Sequence, residues 1–174
     1  MDKISVNKAT KNGIRALSRK LLKMLEDKSS QLYQENVAKF GIPEEYAKKA
    51  FSEETLLEAA YSGKAVFYLA LENRCKVLGF AQAVQRDAGT VELDRIVVFP
   101  EYARKGIGTR LLARVVKDET KKGTRNIIVN AGKEEAHARC FYEKNGFKPL
   151  KEAPIDASWG RIVLITYQLQ LQPA

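Results

Sequence analysis

Between Val91 and Ala131 the chain reads as a strand, a glycine-containing turn, a helix and a second strand, and no other segment restricts the fold as tightly. "VELDRIVVF" has the alternating, β-branched character of a strand. After Pro100 and the turn "RKGIG", Ile107, Leu111, Leu112, Val115 and Val116 fall on one side of a helix expected to begin near Lys105. "RNIIVNA" has the apolar run of a buried strand. Strands joined in this way (91–98, 105–121, 125–131) are expected to pair in parallel, because the helix supplies a crossover that a tight turn cannot.

The flanking segments set the rest of the architecture. "KISVNKA" reads as a first strand, and "NGIRALSRKLLKMLEDK" carries one apolar helical stripe. Ser29 to Gly41 is a second helical stretch, ended by Gly41 and Pro43, and "PEEYAKKAFSEETLLEAAYSG" reads as one or two short helices with a start at Ser52. From residue 64 the period changes. "KAVFYLALE" and "CKVLGFAQAVQ" form a hairpin around Glu72–Asn73–Arg74, and "VELDRIVVF" completes a meander. "KEEAHARCFYEKNG" is a helix closed by Asn145–Gly146, "FKPL" a short strand and "GRIVLITYQLQLQ" a long last one. The expected class is α/β with a mixed, mostly antiparallel sheet.

Glycine costs a helix about 1 kcal/mol relative to alanine, so Gly106 and Gly108 at a helix start require a reason. Unpaired N–H groups and the positive end of the helix dipole make such a terminus an anion site, and glycines let a phosphate reach the backbone. Arg104 and Lys105 add positive charge. The Walker A spacing is absent, and Leu111 stands where a dinucleotide fingerprint needs its third glycine. A pyrophosphate of another cofactor is the ligand these residues suit best, beside the alternative of a purely structural turn.

The chain has 174 residues, 45% hydrophobic and 29% charged, the ordinary composition of one globular domain. No apolar run approaches the ~20 residues of a membrane span, and "MDKISVNKAT" has no apolar signal region, so a cytoplasmic location is expected. The net charge of +9 favours an anionic partner. Eight Lys/Arg against three acids lie between Glu101 and Arg125, a pattern that is also that of a solvated helix face. No reading motif for nucleic acid accompanies the charge. Cys75, Cys140 and the single His137 lack metal-ligand spacing, so no metal is expected. Both cysteines read as buried small hydrophobes, although His137 and Cys140 can share a helix face.

Two motifs together resemble the GNAT N-acetyltransferase superfamily. "LDRIVVFPEYARKGIGTRLL" is similar to its acetyl-CoA motif, Gln/Arg-x-x-Gly-x-Gly/Ala after a strand. "AHARCFYEKNGF" resembles the second family motif, with Ala138, Tyr142, Glu143, Lys144, Gly146 and Phe147 matching. The order of elements agrees from Lys3 to Gln170. Two positions depart: Ala103 stands where the family carries Gln or Arg, and Glu135 where it often carries Asn. The resemblance implies a GNAT-type twisted sheet of about seven strands flanked by helices, in one domain over 1–174. Residues 3–62 would form the acceptor side, 64–131 the central strands and donor turn, and 133–174 the last helix and strands.

The resemblance further implies direct transfer of an acetyl group from acetyl-CoA to an amine. Arg104, Lys105, Gly106, Ile107, Gly108 and Thr109 would hold the pyrophosphate, and Glu135 the pantetheine arm. The strand at Ile96, Val97 and Val98 would offer N–H groups to the arm and the thioester carbonyl, which requires a bulge or splay in its pairing. Glu92 or Asp94, two residues apart on one strand face, would deprotonate the amine, with Glu92 preferred for its reach. Tyr142, also against the cofactor, would serve the departing thiolate. The acceptor would meet residues of 27–62 and 152–160, with Tyr33, Tyr46, Phe51, Asp156 and Trp159 as candidates. A small amine is expected, by resemblance to bacterial and archaeal polyamine acetyltransferases, in a monomer or homodimer. A protein-Lys or N-terminal acetyltransferase and a non-catalytic acyl-CoA-binding regulator are the alternatives.

Overall fold

The computed structural model describes residues 3–157 and 160–173. Seven strands form one sheet in the order β1-β2-β3-β4-β5-β7-β6. The strands are β1 (Ile4–Lys8), β2 (Ala65–Glu72), β3 (Lys76–Asp87), β4 (Thr90–Val98), β5 (Asn126–Gly132), β6 (Lys148–Ala157) and β7 (Gly160–Gln170). Every neighbouring pair is antiparallel except β4 and β5, which run parallel as their helical crossover requires.

That parallel pairing is short. It covers only Thr90–Glu92 against Asn126–Ile128. Beyond it β4 follows β3 as far as Val98, while β5 follows β7 as far as Gly132. The sheet therefore opens into a V whose arms are the C-terminal halves of β4 and β5. β4 also slips register between Leu93 and Arg95, leaving Asp94 as an extra residue. The slip reverses the alternation of side chains: Val91, Leu93, Ile96 and Val98 join one core, while Val97 packs against the other.

Six α-helices cover the two faces. α1 (Lys11–Glu26), α2 (Gln31–Tyr33), α3 (Glu44–Ala50) and α4 (Glu53–Tyr61) lie on one side, and α5 (Ile107–Lys122) and α6 (Ala136–Lys144) on the other. α1 starts at Thr10, whose hydroxyl accepts the Gly13 N–H, and buries Ile14, Leu17, Leu21 and Leu25 at one-turn spacing. Truncating one of these leucines to alanine costs about 2–5 kcal/mol in comparable cores. The buried Ser18 hydroxyl donates to the Phe51 carbonyl, tying α1 to the end of α3. The 29–41 stretch is helical as expected, but α2 passes into a π-helical turn over Gln34–Ala38. α5 buries Ile107, Leu111, Leu112 and Val115 against β2, β3 and β4.

The sheet's first edge is closed by α5. Arg110 donates to the Ile4 carbonyl at 2.6 Å and Arg114 to the Val6 carbonyl at 2.7 Å, so two carbonyls of β1 are occupied from α5. Part of the basic run along 101–125 is thus structural. Arg114 also pairs with Asp118 and Lys122 with the buried Glu119.

Three expectations need correction. β6 is not the short "FKPL" strand but continues to Ala157, so residues 152–157 are strand where a loop was expected. Pro149 and Pro154 argue against a strand in sequence, yet an edge strand tolerates residues that cannot donate. Both cysteines are exposed, Cys75 on the β2–β3 turn and Cys140 on the outer surface of α6, so neither belongs to a core. Third, α5 begins at Ile107, later than the Lys105 expected.

Candidate functional site

The mouth of the V lies where β4 and β5 end and where α5 and α6 begin. After Phe99 a single 3₁₀ turn, Pro100–Tyr102, leads into the glycine turn. Arg104 (φ 61°) and Gly106 (φ 71°) both adopt left-handed backbone, which explains the late helix start. Such a conformation costs a non-glycine residue roughly 1–2 kcal/mol, so Arg104 is a strained position of the turn. The first helical bond of α5 runs from the Arg110 N–H to the Gly106 carbonyl at 3.1 Å. The N–H groups of Ile107, Gly108 and Thr109 precede that ladder, and no acid stands in the first turn.

The two glycines have different reasons. A Cβ on Gly106 would meet nothing within 4 Å, so its side faces open space above the helix terminus. A Cβ on Gly108 would come within 3.3 Å of the Phe141 ring, so a larger residue there would push back the ring that packs α6 on α5. Arg104, Lys105, Gly106 and Thr109 are exposed around the terminus. Free N–H groups, two cations and open space suit a pyrophosphate. Ala103 is exposed and its N–H is bonded to the Pro100 carbonyl.

Across the V, Glu135 immediately precedes α6. Its carboxylate accepts the Gly132 N–H at 2.6 Å, which turns it back onto the end of β5. Tyr142, one face further along α6, is buried, edge-on to Phe141 and Phe147 and tilted against Tyr167. Burial first, and the Glu135 charge second, push its hydroxyl up to about 12. Tyr142 therefore keeps its proton throughout the neutral range. Behind it, the Tyr167 hydroxyl donates to Glu143 at 2.9 Å and accepts from Arg139 at 3.1 Å.

The α1–α4 side of the V is built from charged and polar side chains. Glu92 forms an ion pair with Arg86 and accepts from Asn130 Nδ2 at 3.0 Å. Thr166 Oγ1 donates to Asn130 Oδ1 at 2.6 Å, so β4, β5 and β7 share one polar chain where their pairing divides. Asp94 is the extra residue of the bulge, so it does not extend a regular alternation from Glu92. Ile96, Val97 and Val98 are half-buried in the unpaired arm of β4, with β3 on one side only. The interruption required for a free N–H is thus present.

The acceptor candidates separate. Tyr33 is half-buried against the α1–α4 core, and Phe51 is buried at the end of α3. Tyr46 is exposed on α3 and interacts with Arg95. Asp156 is exposed on β6 and stands 3.6 Å from Arg161. Trp159 lies outside the described residues. The sequence reading passed over Asn130 and Thr166, which the sheet register brings together beside Glu92, and over Arg95, which lies further along β4 against Phe51. It also passed over Phe141, the partner of Gly108. A cleft of about 870 Å³ at the outer end of α1, lined by Lys3, Thr10, Asn12 and Arg74, contains none of these site residues. Among the described residues no cluster of His, Cys, Asp or Glu is arranged to hold a metal, and no helix is long and apolar enough to cross a membrane.

An open seven-stranded sheet that splays at its one parallel pair, with a glycine turn at the mouth, defines an acyl-CoA-type transferase architecture. A family model described as "Acetyltransferase (GNAT) domain" matches residues 63–149. The chain belongs to this family and is an acetyl-CoA-dependent N-acetyltransferase. It is 29% identical over 117 residues to a spermidine N(1)-acetyltransferase of Thermoplasma acidophilum, covering 67% of this chain and 71% of that protein. Among solved structures, the PaiA N-acetyltransferase of Thermoplasma acidophilum in complex with coenzyme A superposes with a TM-score of 0.69 at 20% identity, covering 97% of this chain and 99% of that one. A GNAT-family acetyltransferase from Staphylococcus aureus Mu50 superposes with a TM-score of 0.72 at 19% identity, over 98% and 100%. These likenesses support the fold.

Proposed function

We propose that the protein acetylates a primary amine of a small molecule inside the V, with the acetyl donor and the amine approaching from opposite faces of β4. The observation that carries this reading is the division of β4 from β5 after Glu92, between a helix terminus and a polar chain. The N–H groups of Ile107, Gly108 and Thr109, with Arg104 and Lys105, hold the donor's pyrophosphate. The free edge of β4 at Ile96–Val98 holds its arm and polarises the thioester carbonyl.

Glu92 takes a proton from the ammonium, directly or through one water, and passes it to solvent. The amine nitrogen then bonds to the acetyl carbon, the carbon–sulfur bond breaks, and the nitrogen loses a second proton to solvent. Tyr142 donates its O–H to the departing sulfur. A hydroxyl raised to about 12 keeps its proton, so it stabilises the thiolate while solvent supplies the thiol proton.

A polyamine acceptor is the second reading, favoured by the likeness to a spermidine N(1)-acetyltransferase. The deciding experiment follows release of free thiol from acetyl-CoA with a panel of amino acids, simple amines, polyamines and lysine peptides. Turnover with a small amine and none with peptides is the expected result. Turnover with peptides alone would replace the small molecule by a protein acceptor, and silence with intact acetyl-CoA binding would indicate a regulator.

A further inference from the structure

Arg95 occupies a position that neither donor binding nor proton transfer uses. It follows the bulge on β4, in register with Gln82 of β3. Its guanidinium carbon stands 4.6 Å from the centre of the Phe51 ring, so the fork lies over an aromatic face at the end of α3. Phe51 is itself fixed, 3% exposed and bonded through its carbonyl to Ser18. Tyr46 of α3 interacts with the guanidinium, whose two polar contacts on the strands are weak. Gln82 Oε1 is 3.5 Å away, at the limit of a hydrogen bond, and the nearest carboxylate oxygen among the described residues, on Asp94, is 4.0 Å away. Burial pushes the guanidinium below its ordinary pKa, with Asp94 the main opposing influence. Arginine nevertheless stays charged in proteins. With 31% of the side chain still exposed, this cation is partly desolvated yet reachable.

The charges around it limit what can bind. Glu92 is paired with Arg86, and Asp94 faces Arg95, so two acids are balanced by two arginines on β3 and β4. Tyr46 on α3 is the other group that acts on the Arg95 charge. A polyamine carries several positive charges and needs an excess of acids. The same groups suit an acceptor that brings its own anion, because a guanidinium fork with unused donors binds a carboxylate through two parallel hydrogen bonds. Arg95 and Glu92 are three residues apart, roughly 10 Å along a strand before their side chains reach inward.

Resting on the small-amine reading above, we propose that the acceptor is an amine that also bears a carboxylate, of amino-acid size, and that Arg95 binds that carboxylate while Glu92 faces the amine. Arg95 is then the residue that sets specificity. It distinguishes a zwitterionic acceptor from a polycation.

The test compares thiol release from acetyl-CoA with a set of amino acids, their decarboxylated counterparts and spermidine, in the full chain and in Arg95→Met, Arg95→Lys and Arg95→Glu. An amino acid is expected to have a KM at least tenfold below that of its decarboxylated counterpart. Arg95→Met should erase that difference with kcat and acetyl-CoA affinity nearly unchanged. Arg95→Lys should restore part of it, and Arg95→Glu should favour spermidine. Preference of the unaltered chain for spermidine, or equal losses for both amines in Arg95→Met, overturns the proposal. If no acceptor is acetylated although acetyl-CoA binds, it is the small-amine transferase reading that fails. The carboxylate site is then judged by thermal shift of the acetyl-CoA-loaded protein. Stabilisation by amino acids but not by their decarboxylated counterparts, lost in Arg95→Met, supports it, and no stabilisation overturns it.

Discussion

On the α5–α6 side, the mouth of the V is made chiefly of backbone: N–H groups at the start of α5, two left-handed residues and an unpaired strand edge. On the α1–α4 side it is made of side chains from four strands, with Arg86, Glu92, Asn130 and Thr166 joined by an ion pair and hydrogen bonds and Arg95 further along β4 against Phe51. In the proposed reading the backbone surface recognises what every donor of this type has in common, its pyrophosphate and thioester. A side-chain site can change its ligand by one substitution. One surface can therefore stay constant while the other is adapted to the acceptor.

The largest effect is expected where the backbone surface is blocked. Gly106→Val places a branched side chain over the open helix terminus in a left-handed conformation, and acetyl-CoA affinity should fall at least about 100-fold by calorimetry. Far-ultraviolet dichroism should be kept, since the added Cβ meets no other atom. Unchanged affinity would remove the pyrophosphate from this turn. On the side-chain surface, Glu92→Gln should lower kcat by about tenfold to several hundredfold, in the range of a lost general base, without altering acetyl-CoA affinity. If Asp94→Asn has that effect and Glu92→Gln does not, the base is the bulge residue.

Tyr142 separates the two surfaces in another way. Tyr142→Phe should reduce turnover several-fold and leave acetyl-CoA affinity within about twofold, a fraction of a kcal/mol. It should also change alkaline stability. A tyrosine raised from 10.0 to about 12 contributes stability that is complete below pH 10 and lost as pH rises through 12, up to roughly 3 kcal/mol. Urea titrations at pH 8 and pH 11 should show a smaller difference in Tyr142→Phe than in the unaltered chain. The smallest effect is expected at Tyr68, wholly buried with a hydroxyl that lies near Asp118 but makes no well-formed hydrogen bond among the described residues. Tyr68→Phe should be neutral or stabilising by up to about 1 kcal/mol, because it removes an unsatisfied polar group. A loss of more than that would reveal a strong interaction with nearby Asp118.

The backbone surface was also the more legible one. Gly106, the strand before it and the parallel crossover all leave marks in the sequence, because helix termini and left-handed turns demand particular residues. Tyr142 was found the same way, within a second local motif. The bulge at Asp94 was not legible, since any residue can occupy it, and it decides that Ile96 and Val98 rather than Val97 face α5. Arg95, the residue after the bulge, was therefore not singled out. Gly108 was assigned to the ligand, and the sequence does not show that the space for a side chain there is also limited by Phe141, more than thirty positions away in the chain. The full length of β6 was hidden by Pro149 and Pro154, whose missing donors matter little at an edge.

The two arginines that reach from α5 to the carbonyls of Ile4 and Val6 also bear on how the chain behaves at high concentration. A bare outer strand is a template on which further strands can add, and a sheet that begins with one can grow into an aggregate. Here two acceptors that an incoming strand would need are already occupied, and by groups that carry positive charge. At the other end, the two prolines of β6 withhold two donors. The sheet that divides at its centre is thus guarded against strand addition at both margins.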